Sequence, residues 1–153
     1  MLQINTGERT IESVLGEHGC YASTIRGVSM RPLLKTDRDV VVLNRVEGAG
    51  LSKYDVALYK VGERYVLHRI IDIDESRGLY IIRGDNTYSL EYVKYDQVLA
   101  VLVSFNRRGK HHSVSERGYR FYSVLWHHIY PLRYVFHLAR CAASRVKRAI
   151  IKK

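Results

Sequence analysis

The chain has 153 residues, a formal net charge of +10 and no run of apolar residues long enough to cross a membrane as a helix. That length supports one domain with a real core, and the composition excludes disordered and collagen-like classes. Cys20 and Cys141 lie far apart with no metal-ligand spacing, which argues against a disulfide framework and against a structural zinc; no metal or cofactor is expected.

The charge is unevenly placed. Residues 117–153 carry nine Lys/Arg and no Asp/Glu, while the first 116 residues hold 16 basic and 15 acidic side chains. The expected organisation is a near-neutral domain over 1–116 followed by a basic helical tail over 117–153. A localised basic segment suggests an anionic partner at one end of the molecule. Nucleic acid is the weaker option, because the main domain shows no basic stripe and the tail no recognised motif.

The N-terminal "MLQINTGERTIESVL" has Glu8 and Glu12 where a signal peptide needs cations and then an apolar run, so no targeting signal is expected. Ile11, Val14 and Leu15 fall at helical spacing in "GERTIESVLGEHG", which predicts a short amphipathic helix stopped at Gly19. From Tyr21 to about Val114 the texture is β. "YASTIRG", "DVVVLNR", "DVALYKV", "RYVLHRIIDID", "GLYIIRGD" and "QVLAVLVSFNR" are six predicted strands separated by Gly or Asp punctuation. Such a series fits an antiparallel sheet or barrel and not repeated βαβ units. Past "SERGYR" the pattern turns helical and aromatic-rich, with Pro131 breaking it near the middle.

Within "GVSMRPLL", Ser29 sits between a glycine and a proline-containing turn. A serine is a weak nucleophile until a base takes its proton. Of seven histidines, only His68 lies in a predicted strand, in "VLHRII". Strand alternation puts Val66, His68 and Ile70 on one face, and Leu67, Arg69 and Ile71 on the other. An imidazole among Tyr65, Val66, Ile70 and Ile71 is expected to be partly buried, with a lowered pKa that leaves it neutral and able to accept a proton near pH 7. In "IIRGDNTYSLE" a strand ends at Arg83, Gly84 lets the chain turn, and Asp85, Asn86 and Glu91 follow. Asp85 and Glu91 are the two candidates for orienting the imidazole, and sequence alone leaves the choice open.

Together "GVSMRPLLKTDRDVVVLNR", "LSKYDVALYK", "VLHRII" and "IIRGDNTYSLE" resemble, in order, the boxes of signal peptidase I and its serine-peptidase relatives over about residues 21–106. The resemblance implies a mostly β peptidase fold with Ser29 as nucleophile and Met30 lining a substrate cleft beside Pro32. The "HRI" at His68, Arg69 and Ile70 is similar to the endoplasmic-reticulum and archaeal subtype, in which histidine is the base and acidic residues at the positions of Asp85 and Glu91 both matter. Glu91 stands where that subtype carries Asp. Gly27 stands where signal peptidases often place a serine that completes the oxyanion hole. The transmembrane anchor of signal peptidases and the helix-turn-helix of the self-cleaving SOS repressors are not expected in this chain.

The expected activity is therefore cleavage of an extended leader- or signal-type peptide segment by a Ser/His endopeptidase. A peptide-binding pseudo-peptidase and a soluble SOS-type autoprotease are the alternatives. Two arrangements of the tail are expected: a helix pair packed on the β domain with a solvated basic face, or an anchor on an anionic membrane surface, with Trp126, Tyr130, Tyr134 and Phe136 at the headgroup level and Arg140, Arg145, Lys147 and Arg148 facing lipid. The corresponding location is the cytoplasm, with peripheral membrane association.

Overall fold

The computed structural model describes residues 10–47 and 50–151, with side chains described as far as Ser144. The expectations placed on Arg145, Lys147 and Arg148 lie outside the described side chains. Helix α1 spans Ile11–His18; Thr10 caps it by accepting from the Ser13 N–H at 3.2 Å, and Gly19 ends it. Ile11 and Leu15, one turn apart, are both buried.

Eight antiparallel strands follow among the described residues: β1 Cys20–Thr24, β2 Val40–Arg45, β3 Val56–Val61, β4 Arg64–Asp74, β5 Leu79–Arg83, β6 Glu91–Lys94, β7 Val98–Arg107 and β8 Lys110–Ser113. They form one sheet in the order β1-β2-β7-β3-β4-β5-β6, with β8 added to β7. The mainly antiparallel β class expected from the strand pattern is the observed one. Helices α2, Arg117–His128, and α3, Tyr130–Ile151, close the chain. The helical break falls at Ile129, and Pro131 sits in the first turn of α3, where its missing N–H removes no helical bond.

Strand β3 shows how the sheet divides the interior. Val56 and Leu58 belong to a core that includes Ile11, Leu15 and Met30, whereas Ala57 and Tyr59 belong to a second core with Ile70, Tyr80, Ile82 and Val98. Successive side chains of a strand point to opposite faces, so a strand buried on both sides reads as a continuous apolar run. Strands β6 and β8 were not evident in the sequence. Val93 is the one buried residue of β6, and β8 is "KHHS", paired to the long β7 from Ser104↔Ser113 to Arg107↔Lys110.

The tail is bonded into the sheet through one arginine. Arg69 on β4 is 2 % exposed. It forms a two-pronged ion pair with Asp85, Nε to Oδ1 at 2.8 Å and Nη2 to Oδ2 at 2.9 Å. Its Nη1 donates to the Tyr54 carbonyl at 2.9 Å, and to the hydroxyls of Ser123 at 2.8 Å and Tyr119 at 3.3 Å on α2. The sequence boundary at 116/117 coincides with the start of α2, yet α2 is part of the scaffold around the Asp85 turn. Removing one partner of a buried pair strands the other charge. Arg69→Met is expected to cost about 3–5 kcal/mol in urea unfolding, and Arg69→Lys to recover only part of it because the fork geometry is lost.

Candidate active site

Ser29 is half-buried in the turn between β1 and β2. The turn is closed by the Arg31 N–H to the Val28 carbonyl at 3.2 Å and the Leu34 N–H to the Met30 carbonyl at 2.9 Å. Asn86 ties it to the turn after β5. Its N–H donates to the Ser29 carbonyl at 2.7 Å and its Nδ2 to the Val28 carbonyl at 3.3 Å.

His68 reaches the same spot from β4. A β-carbon built on Gly84 would lie 2.8 Å from the Ser29 carbonyl oxygen and 2.9 Å from His68 Nε2. Three segments distant in sequence therefore meet at one point. The sequence reading made Gly84 a residue that lets the chain turn, but its φ is not in the left-handed region. Glycine is required there by close approach of backbone and imidazole.

His68 is 6 % exposed, and its two nitrogens differ sharply. Nδ1 lies 2.9 Å from Glu91 Oε1 and 3.2 Å from the Tyr59 hydroxyl, while that hydroxyl donates to Glu91 Oε2 at 2.7 Å. A neutral imidazole with a carboxylate at Nδ1 carries its proton there, which leaves Nε2 as the acceptor. Nε2 is buried and has no hydrogen-bond partner among the described residues. Burial pulls the His68 pKa below its usual 6.5, outweighing the opposing pull of Glu91 and, more weakly, of Asp85. Burial, and then the hydrogen bond to Glu91, push the Tyr59 phenol well above its ordinary range, so it stays protonated as a donor.

The two carboxylates left open by the sequence are separated by the fold. Glu91, the first residue of β6, is the one that reaches His68. Asp85 instead faces Arg69 and accepts from the Tyr122 hydroxyl at 2.9 Å, and its backbone carbonyl accepts from Trp126 Nε1 at 2.8 Å and Arg133 Nη2 at 2.7 Å. Its contact with the site is made through Gly84 and Asn86, its neighbours.

Three residues of the first turn fall differently. Met30, expected along a substrate cleft, is 3 % exposed and packs in the core beneath the turn. Pro32 is exposed and lines a groove of about 1150 Å³ shared by Arg31, Asn86, Tyr88 and helix α3. Gly27 has φ +96°, a conformation that strains any L side chain, and its carbonyl accepts from the Thr36 hydroxyl. A serine at that position would carry this strain.

The aromatic side chains expected at a membrane headgroup level also divide. Trp126 is committed to the Asp85 carbonyl. Tyr130 donates to the Tyr88 carbonyl at 3.2 Å and lies under the Arg83 guanidinium at 3.3 Å. Tyr134 and Phe136 remain exposed. Among the described residues no group of three or more His, Cys, Asp or Glu is placed to hold a metal ion.

Tyr59, Arg69 and Asn86 complete the arrangement; the sequence names Arg69 and Asn86 only as members of motifs, with no role, and does not single out Tyr59. Two signals were present. The Gly62-Glu63 loop joins β3 to β4 with Val61↔Arg64 pairing, which sets Tyr59↔Val66 and Ala57↔His68 and so puts Tyr59 on the His68 face. An arginine between Leu67 and Ile71 on an apolar face also demands a carboxylate partner.

No family model matches the chain, and no curated protein matches it.

Gly84→Ala is expected to displace the Ser29 turn or the His68 ring, since neither the carbonyl at 2.8 Å nor the buried imidazole can yield freely. A loss of at least 100-fold in any Ser29-dependent reaction is the order of magnitude expected for misplacing a catalytic group by about 1 Å. The check is reaction rate measured beside an unfolding curve, with the rate falling further than stability accounts for.

Proposed function

We propose that the protein is a serine endopeptidase in which Ser29 is the nucleophile, His68 the general base and Glu91 the group that orients and charges-compensates the imidazole. The observation that carries this reading is the buried, unpartnered Nε2 of His68 beside Ser29, with Nδ1 held by Glu91 and Tyr59. A buried acceptor without a partner costs free energy, and a catalytic role accounts for keeping it. The Ser29 to His68 hydrogen bond closes on substrate binding, as such bonds tighten in the Michaelis complex.

In the proposed reaction the Ser29 hydroxyl gives its proton to His68 Nε2 as Oγ attacks the scissile carbonyl carbon. The imidazolium that forms is stabilised by Glu91 and returns its proton to the leaving amine nitrogen, which breaks the C–N bond. Water then repeats the cycle and releases the acyl group as a carboxylate. The Ser29 backbone N–H donates to no described residue and is the donor proposed for the developing oxyanion. The substrate is an extended peptide segment, in keeping with a leader- or signal-type sequence. A binding-only module would have no use for a desolvated base in this position, which favours the enzyme over the pseudo-peptidase.

Because burial lowers the His68 pKa, kcat/KM is expected to rise with pH through a value below 6.5 and to be flat above it. The linkage has the same sign for stability. The unfolded chain takes up the proton first as pH falls from 6.5, so stability is lost between that value and the lower folded-state pKa. Glu91→Gln removes the one strong upward pull; the rising limb is expected to move to still lower pH and kcat to fall by about 10³–10⁴, the scale for an orienting carboxylate turned into an amide. Labelling by a fluorophosphonate probe tests the whole reading: wild type reacts, while Ser29→Ala and His68→Ala do not. Equal labelling of all three proteins would sink it.

We propose further that the C-terminal helices rest on an anionic membrane surface. Phe121, Leu132, Val135, Phe136 and Leu138 are exposed at 49 % or more, on a segment with no acidic residue. An apolar strip flanked by cations is the composition of an interfacial helix. No helix among the described residues is long and apolar enough to cross a membrane. The full chain with Val135→Glu and Leu138→Glu is expected to lose binding to phosphatidylglycerol vesicles in a flotation assay. Unchanged flotation would remove the membrane from the account.

A further inference from the structure

The groove beside Ser29 is lined by three guanidinium groups and by no carboxylate: Arg31 from the nucleophile turn, and Arg133 and Arg140 from α3. Arg31 and Arg140 are exposed, and among the described residues neither has a carboxylate partner. Arg133 is held in place, with Nη2 donating to the Asp85 carbonyl at 2.7 Å and its guanidinium 3.9 Å from the Trp126 ring. A guanidinium has five N–H donors, so one anchored in this way still presents several to the groove. Like charges around one concavity raise its potential and favour an anionic occupant.

The groove is continuous with the site. Arg31 is two residues from Ser29, and Asn86, which also lines the groove, bonds the Ser29 carbonyl through its own N–H. A peptide leaving the nucleophile past Arg31 and Asn86 enters the groove directly. Tyr88, stacked on His137 with ring centroids 4.0 Å apart, gives that path an aromatic wall. Of the exposed apolar side chains, Leu132 and Phe136 line the groove whereas Val135 and Leu138 do not, so the groove takes one edge of the apolar strip and leaves the other outside it.

We infer that the groove is a substrate subsite for an acidic stretch flanking the scissile bond, with its carboxylates seated on Arg31, Arg133 and Arg140. This deepens the peptidase reading and rests on it for the identity of the occupant as substrate. Arg–carboxylate pairing supplies both charge and planar two-pronged geometry, which a glutamine flank cannot match.

The test uses full-length Ser29→Ala protein and dye-labelled peptides with an alanine centre and a flank of three Glu, three Gln or three Lys. Fluorescence anisotropy is expected to show the Glu peptide bound at least about tenfold more tightly than the Gln peptide, with the difference shrinking at high salt. Arg140→Gln is expected to weaken the preference, and Arg140→Glu in the same background to turn it toward the Lys peptide. Equal affinity for the Glu and Gln peptides, or a preference indifferent to both Arg140 variants, overturns the inference. Loss of binding to anionic vesicles in Arg140→Glu with no change in peptide preference overturns it too and assigns the guanidinium to lipid. Cleavage by the wild type is read separately. Cleavage without a Glu preference leaves the peptidase and removes the subsite, whereas Glu-selective binding without cleavage of any peptide leaves the anionic groove and removes the peptidase.

Discussion

The Arg69–Asp85 ion pair is the contact on which the rest of the structure turns. It joins the middle of β4 to the turn after β5 inside the protein, where neither charge reaches water. Burial alone would make such a pair costly, and what offsets it is the completeness of its shell. Arg69 finds Tyr54, Tyr119 and Ser123, and Asp85 finds Tyr122, with each hydrogen bond at 3.3 Å or less. Because residues adjacent to the pair carry the candidate chemistry, fixing it fixes them. His68 precedes Arg69 on the opposite face of the strand, and Gly84 and Asn86 flank Asp85. The pair thus locates the imidazole, the point of closest approach and the hydrogen bonds that hold Ser29.

The C-terminal helices belong to this logic. Composition marks them as a separate basic segment, yet α2 supplies three of the side chains that satisfy the ion pair, and Trp126 with Arg133 satisfies the Asp85 carbonyl. The same helices form a wall of the groove next to Ser29. Their polar side chains bond the Asp85 turn, while Val135 and Leu138 stay exposed outside the groove and are the residues proposed to meet a membrane surface.

Two carboxylates six residues apart take opposite roles because their surroundings differ. Asp85 is neutralised by a guanidinium and is structural. Glu91 has a phenol and an imidazole for neighbours and, among the described residues, no guanidinium, so in the proposed reaction its charge is available to the imidazolium. Tyr59 is the third member of that cluster. With its phenol held in the protonated form by burial and by Glu91, it keeps one Glu91 oxygen occupied and leaves the other for Nδ1. The longer side chain at position 91 spans from the edge strand β6 to β4, across β5.

Local pattern carried much of this. Apolar runs between Gly or Asp punctuation located six strands, the helical spacing of Ile11, Val14 and Leu15 located α1, and period-two placement put His68 on a buried face with a depressed pKa. Those features depend on near neighbours in the chain, and near neighbours are what a sequence displays. It did not display β8, whose "KHHS" has no apolar period and becomes a strand only because β7 is long enough to pair with it. Nor did it decide between Asp85 and Glu91, put Met30 in the core, or explain Gly84, because each depends on atoms brought together from distant segments. What the sequence determined by itself was the class of fold and the residues able to do acid–base chemistry. Tertiary structure alone decided which carboxylate faces the imidazole, because burying Arg69 commits Asp85 to it and leaves His68 to Glu91.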